Sequence, residues 1–384
     1  MKNNIVIIGA GPTGLITSLL LAEQGYKVSL IESNSEDLIL EDTKALAISK
    51  STVFILKKLN IWELLAKKAI AINEIHVSQK KSFGRTLLRA RDFDDDFLGQ
   101  VISYPDLIES LRSKTNKLDN TEIFFNSYAK SIHELKGSRY LLISQGESEI
   151  NIPYDLLVMA DGGQSTIKGI DMIKEEKEDN HLALVAALKS NKRHNGRAFE
   201  RFTKNGPIAL IPNKFDKYTL IWTGPAKVIK RIKELNNTAL LDELQQNFGN
   251  RAGIFEEIEV KRVYPLKNSI LKKIKNQNII AIGNAAQTIH PVAGQGLNIG
   301  IRDAFELSKI IKNPDILFPT NISKEFNKIR QSKSNDVINI TNKLSTIFLS
   351  DIVGFNFARG ISLSIFDAIP FLKKKFVRKM SYGE

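Results

Sequence analysis

A chain of 384 residues exceeds what one hydrophobic core usually fills, which favours two packed units or one elaborated domain. Hydrophobic residues at 42% and charged residues at 25% exclude a disordered or collagen-like chain. The absence of cysteine excludes a disulfide framework, a cysteine-ligated metal and a thiol relay. The net charge of +13 favours acidic partners, but no helix-turn-helix, zinc-finger or RRM signature accompanies it, so no nucleic-acid partner is expected.

In chain order, the apolar run Asn4–Gly9 reads as a strand buried on both faces. It is too short for a signal peptide, which implies a cytoplasmic protein. Leu15, Leu19 and Ala22 repeat at helical spacing, Gly25 ends that helix, and Tyr26–Glu32 is a second strand, which completes a right-handed βαβ unit. Leu56, Leu59 and Leu64 form an apolar stripe that predicts a helix over 44–68. Residues 70–100 alternate like an antiparallel sheet, Leu107 and Leu111 mark a helix, and 121–160 alternates again before the apolar run Leu156–Ala160. Short strands dominate 180–265, with one helix predicted over 227–248. A buried strand at Asn278–Ile282 precedes a glycine-rich loop and a helix from about 296, and the last 60 residues read as helices.

Three segments carry chemistry. Gly9-Ala10-Gly11-Pro12-Thr13-Gly14 is a G-x-G-x-x-G between a strand and a helix. In that pattern the first glycine permits the tight turn, the second lets the backbone approach a pyrophosphate, and the third allows close helix–strand packing. The phosphates then meet the free N–H groups of the helix start. Glu32 closes the second strand, where a carboxylate can accept from both ribose hydroxyls. In the second segment, a buried strand delivers Asp161 and Gly162 to its carboxyl end, where open α/β sheets bind ligands. The third runs from Gly283-Asn284 to Asn298. Asn284 offers an amide to a ribitol or ribose, Pro291 stiffens the loop, and Gly294-Gln295-Gly296 present backbone N–H groups at a helix start. His290 is open to two readings, a base or a histidine held by backbone bonds.

In this order and separation the three segments resemble the FAD-dependent aromatic hydroxylases of the p-hydroxybenzoate hydroxylase fold. Within that group the chain is most similar to the ubiquinone-biosynthesis hydroxylases (the UbiH/UbiF/VisC family), nearest its UbiH branch. Gly283–Asn298 and Gly196–Pro212 carry that likeness. The resemblance implies an α/β fold: a Rossmann-like FAD-binding domain, an inserted β-sheet substrate domain and a helical C-terminal tail. The boundaries would be 1–70, 100–175 and 269–330 for the FAD-binding domain, 71–99 and 176–268 for the substrate domain, and 331–384 for the tail.

FAD would be held by Gly9, Gly11, Pro12, Thr13, Gly14, Glu32, Lys44, Asp161, Gly162, Gly283, Asn284, Pro291, Gly294, Gln295, Gly296, Leu297 and Asn298. Relatives commonly carry arginine at the position of Lys44, and lysine lacks its planar fork. They often place a more polar residue where Tyr104 stands. By the same resemblance NAD(P)H is the co-substrate, and reduced FAD captures O₂ as a C4a-hydroperoxide that hydroxylates a polyprenylated phenol. No metal and no named catalytic base enter this scheme. Salicylate-type hydroxylases, polyprenyl reductases, amine oxidases and a non-catalytic FAD-binding assembly protein share parts of the pattern.

A ubiquinone-biosynthesis complex is an expected partner, and so is a membrane surface. Apolar and aromatic residues crowd 344–372, and Lys373, Lys374, Lys375, Arg378 and Lys379 follow. No run there reaches the roughly 18–20 apolar residues of a spanning helix. The expectation is therefore peripheral attachment to the inner face of the cytoplasmic membrane.

Overall fold

The strand Asn4–Ile8 has almost no polar side chain, so it needs cover on both faces, and it lies at the centre of a five-stranded parallel sheet. The strand order is 279–281, 156–159, 4–8, 27–31, 121–124. The computed structural model describes residues 3–37, 44–80, 84–214, 216–288, 295–312, 322–330 and 366–382.

Alternation along each central strand divides its side chains between two cores. Ile5, Ile7, Val28, Leu30, Leu156 and Val158 pack against helices Pro12–Ala22, Tyr104–Thr115 and Gln295–Ile310. Val6, Ile8, Leu157 and Met159 pack instead against Leu141, Ile143, Ile152 and Tyr154, which lie on or beside a three-stranded antiparallel sheet. Each fully buried Leu or Ile contributes about 1.5–3 kcal/mol. The helix Pro12–Ala22 starts on proline, whose missing N–H costs nothing at that position.

The insertion is an eight-stranded mixed sheet, ordered 287–288, 255–274, 172–190, 217–225, 206–213, 197–203, 74–79, 85–89. Helices Ala226–Glu234 and Asn237–Phe248 cover one of its faces, burying Leu184, Leu210, Leu220 and Trp222. Its opposite face is bordered by a small sheet of Ala45–Ile48, Gly99–Ser103 and Ile70–Ile72, which packs on Ala198, Ile75 and Ile211. The long strands Met172–Ser190 and Phe255–Ile274 belong to both the insertion and the segments that flank it.

Two helix expectations are corrected. Residues 45–48 form a strand, because they pair with strand 99–103 and turn Ala45 and Ala47 to the mixed-sheet side and Leu46 and Ile48 to the main core. The helix that follows is interrupted at Leu59-Asn60, where Asn60 adopts φ 51, so Lys50–Lys58 and Trp62–Ala66 are separate. The single helix expected over 227–248 is likewise two, divided at Leu235-Asn236. There Asn236 caps the second by accepting from Ala239 N at 2.9 Å.

Most of the expected helical tail lies outside the described residues. Helix Pro370–Tyr382 docks on the edge strand Arg85–Arg89. Val377 is buried with Leu88, Ala90 and Leu98, and Phe366 meets Phe376 edge-to-face at 5.6 Å. Asp367 accepts from Thr86 Oγ1 at 2.7 Å and pairs with Lys373 Nζ at 2.6 Å. Helix 322–330 buries Ile322 and Phe326 in the main core.

Candidate functional site

The carboxyl ends of strands 4–8, 156–159 and 279–281 stand side by side and deliver the three glycine loops to one edge of the parallel sheet. At the first loop, Gly9 has φ +99, and a Cβ on it would lie 2.8 Å from the Ala160 carbonyl oxygen and Asp161 Cα. A Cβ on Gly14 would run into the Gly9 carbonyl. Gly11 differs. Its φ of −71 suits any residue, and a Cβ there would meet nothing within 4 Å. Two glycines are therefore demanded by the fold, while the third borders an open cradle at a helix N-terminus. A pyrophosphate fits that cradle, since the exposed N–H groups and helix dipole favour anions.

Glu32 is 6% exposed. Its Oε2 accepts from Ala10 N at 2.8 Å, and its Oε1 accepts from Asn34 N and Nδ2, both at 2.9 Å. The carboxylate thus fixes the glycine turn and lies at the strand end expected for a ribose. Asp161 accepts from Gly163 N at 3.0 Å and Ser165 N at 2.6 Å, so its side chain secures the second loop. Gly162 takes φ +75 within that loop.

The third loop starts at Gly283, whose φ of +57 favours glycine and where a Cβ would touch Thr13 and Gly300 at 3.4 Å. Asn284 is exposed, and its Oδ1 lies 3.5 Å from where a Cβ on Gly296 would stand. Pro291 and Gly294, like His290, lie outside the described residues. Gln295, Gly296, Leu297 and Asn298 open helix Gln295–Ile310. Leu297 packs against the main core. Asn298 is buried: its Oδ1 accepts from Ser49 N and Thr52 Oγ1, both at 2.8 Å, and its Nδ2 donates to Ala47 O at 3.0 Å. It clamps the small sheet to the cofactor edge.

Lys44 and Tyr104, the two departures from the resembled pattern, are partners. Tyr104 N donates to Lys44 O at 3.0 Å, and the Lys44 ammonium sits 4.3 Å from the Tyr104 ring centroid. A cation over an aromatic face is held electrostatically, so each accounts for the other.

Sequence reading missed Gly300, Asp303 and Arg330. A Cβ on Gly300 would lie 2.8 Å from Thr13 Oγ1, which makes it the contact point of two helices. Asp303 Oδ2 accepts from Gly283 N at 3.1 Å and from Arg330 Nε at 3.0 Å, with both side chains buried. Burial raises the Asp303 carboxyl, while Arg330 and the Gly283 N–H oppose that rise. A glycine and an aspartate three apart on an otherwise apolar helix face were the available signal.

The substrate side is divided by strand alternation. Arg201 turns to the helix-covered face, donating to Asn247 O and Ser78 Oγ, both at 3.1 Å. Arg197 pairs with Glu74 at 2.6 Å. Ala198 and Glu200 alternate onto the opposite face, where Ala198 packs on the small sheet.

Strand-end glycines, a carboxylate on the first loop and an open helix N-terminus define a dinucleotide-binding flavoprotein fold. The chain belongs to the FAD-binding-domain family, whose sequence profile matches residues 2–314. It is an FAD-dependent enzyme with the architecture of the flavin monooxygenases. The p-nitrophenol 4-monooxygenase PnpA of Pseudomonas putida superposes with a TM-score of 0.79 at 16% identity, covering 99% of this chain and 98% of that one. An uncharacterized protein of Synechocystis is 26% identical, over 98% of this chain and 92% of its own. The ubiquinone hydroxylase UbiL of Rhodospirillum rubrum is 23% identical, over 98% and 88% respectively.

Proposed function

We propose that this chain hydroxylates a polyprenylated phenol in ubiquinone biosynthesis, taking electrons from NAD(P)H and one oxygen atom from O₂. The observation that carries the reading is the juxtaposition of two surfaces. The small sheet links them: Asn298, on the helix of the third glycine loop, bonds Ala47 O, and the same sheet packs on a mixed-sheet face whose half-buried side chains Val77, Ala209, Ile221 and Val185 are apolar, as a prenylated ring requires. When bound, FAD supplies the two-electron redox chemistry and the activation of O₂. Gly9, Gly11 and Gly14 shape its phosphate site, Glu32 meets its ribose, and the Asp161 and Gly283 loops line its remaining length. The parallel-sheet unit is the cofactor domain and the mixed sheet the substrate domain. A prenylated phenol should stimulate NAD(P)H oxidation by the FAD-loaded protein several-fold. Oxidation at the same rate with and without the phenol would defeat the reading.

A prenylated substrate stays in a bilayer, and the tail helix supports docking to the inner face of the cytoplasmic membrane. Among the described residues no helix is long and apolar enough to cross a membrane. Ile369, Phe371 and Leu372 are exposed, Phe371 at 71%, and Lys374, Lys375 and Arg378 stand beside them in solvent. Apolar side chains inserted beside bound basic residues give reversible attachment to anionic lipid. Val377 and Lys373 anchor the helix to the sheet edge, so substitutions on its exposed face leave the anchor in place. Phe371→Ser with Leu372→Ser should weaken binding to phosphatidylglycerol vesicles at least about tenfold, since each insertion contributes about 1.5–3 kcal/mol. Co-sedimentation equal to that of the parent protein would remove membrane docking from the account. Attachment of a ubiquinone-biosynthesis complex belongs to the same reading.

A further inference from the structure

The open face of the mixed sheet carries one carboxyl group in the centre of a largely apolar row, which ends beyond Val77 at Thr86, where the hydroxyl binds Asp367 and Asp367 pairs with Lys373. Pairing registers place Val77, Glu200, Ala209, Ile221 and Val185 side by side across five strands, with Arg262 at the far end. Along its own strand Glu200 lies between Ala198 and Phe202 on the same face. The diagonal neighbours are Ile75, Gln79, Pro207 and Ile211. None of these side chains ionises. The small sheet packed against this face contributes Ala45, Ala47, Ile70, Ile72 and Val101. Lys44 and Tyr104, at the ends of its strands, engage each other.

Among the described residues no hydrogen bond or ion pair involves the Glu200 carboxyl, in contrast to Glu32, Glu74 and Asp303. Leaving a half-buried carboxylate without a partner costs stability unless something else engages it. Ala198, two residues away on the same face, contacts the small sheet that Asn298 clamps to the cofactor edge. The Glu200 side chain therefore lies on the sheet face that Ala198 shares with the small sheet, the sheet Asn298 ties to the helix of the third glycine loop.

We propose that Glu200 accepts the hydrogen bond of the substrate's phenolic hydroxyl and takes its proton as the ring is oxygenated. This rests on the monooxygenase reading above and adds the proton acceptor that reading lacks. The balance is ArH + O₂ + NAD(P)H + H⁺ → ArOH + H₂O + NAD(P)⁺. The phenolic O–H bond breaks and a carboxyl O–H bond forms. The electron pair left on oxygen raises the nucleophilicity of the ortho and para carbons, one of which bonds to an oxygen atom of O₂. When that carbon loses its own hydrogen and aromaticity returns, the phenolic oxygen recovers a proton from Glu200. The residue ends as it began. Burial alone pushes the Glu200 carboxyl up to about 7, so it changes hands with a proton near neutral pH.

The test uses FAD-loaded protein and 2-geranylphenol, titrated calorimetrically between about pH 6 and about pH 8. The ionised carboxyl accepts the phenol's proton in a charge-assisted hydrogen bond, whereas the protonated acid offers only its weaker neutral carbonyl oxygen, so affinity rises as pH passes the carboxyl's pKa. The dissociation constant should fall about tenfold across that range, and binding at the acid end should release a proton, read from buffers of different ionisation enthalpy. Glu200→Gln, which keeps the shape and retains bound FAD, should bind with a flat pH profile and without proton release. It should also lose at least about tenfold in coupled hydroxylation. A Glu200→Gln protein with the parent's pH profile and coupling overturns the proposal. Parent protein that shows the pH step but forms no hydroxylated product would leave Glu200 as the phenol's hydrogen-bond acceptor, overturn its part in oxygenation and defeat the monooxygenase reading. Parent protein that does not bind the phenol overturns both.

Discussion

Replacing Gly11 by valine should leave a folded protein that no longer holds FAD. The backbone at Gly11 is extended with φ −71, and a Cβ there meets no protein atom within 4 Å, so the apo fold has no objection to a side chain. The isopropyl group would fill the space the pyrophosphate needs against the helix N-terminus. Affinity should fall at least about a hundredfold, on the order of 3 kcal/mol, and the purified protein should be colourless with an unchanged far-UV spectrum. Gly14→Ala provides the contrast. Its Cβ would press into the Gly9 carbonyl and force the first helix away from its strand, so the loss should appear in stability. Yellow Gly11→Val protein with FAD bound at the parent's affinity would remove the cradle from this account.

The second large effect is expected at Arg330. Arg330→Met removes the guanidinium from a buried Asp303 and leaves a carboxyl inside the core that also holds the Gly283 N–H. Breaking one side of a buried ion pair costs about 3–5 kcal/mol, seen as a shift of the urea midpoint. Adding Asp303→Asn should recover much of that loss, because asparagine still accepts from Gly283 N and carries no charge to desolvate. Arg330→Met within about 1 kcal/mol of the parent protein would show the pair to be irrelevant to stability.

These two sites differ in how readable they were. The Gly9–Gly14 turn, its strand and its helix are consecutive, so spacing alone shows the cradle. The Asp303–Arg330 pair joins elements 27 residues apart, and Asn298 reaches back 249 residues to Ser49. No periodicity encodes such contacts, and the helix 322–330 that brings Arg330 to Asp303 carried only a helical pattern. Residues 45–48 show the opposite error. Their apolar content continues the stripe of the following helix, and only the pairing with strand 99–103 makes them a strand. Glu200 was visible within the Arg197–Thr203 stretch, but its face was not. Alternation assigns a side chain to one of two surfaces, and the partner strands decide which surface stays open.

The central claim is that this chain places an oxygen atom from O₂ on a phenolic ring, and isotopic labelling tests it most directly. FAD-loaded protein, NAD(P)H and a prenylated phenol are incubated under isotopically heavy oxygen gas in ordinary water, and the product is weighed by mass spectrometry. The account predicts one heavy oxygen atom in each hydroxylated product molecule. Product whose new oxygen comes from water, or consumption of NAD(P)H with hydrogen peroxide as the sole oxygen product, would contradict it.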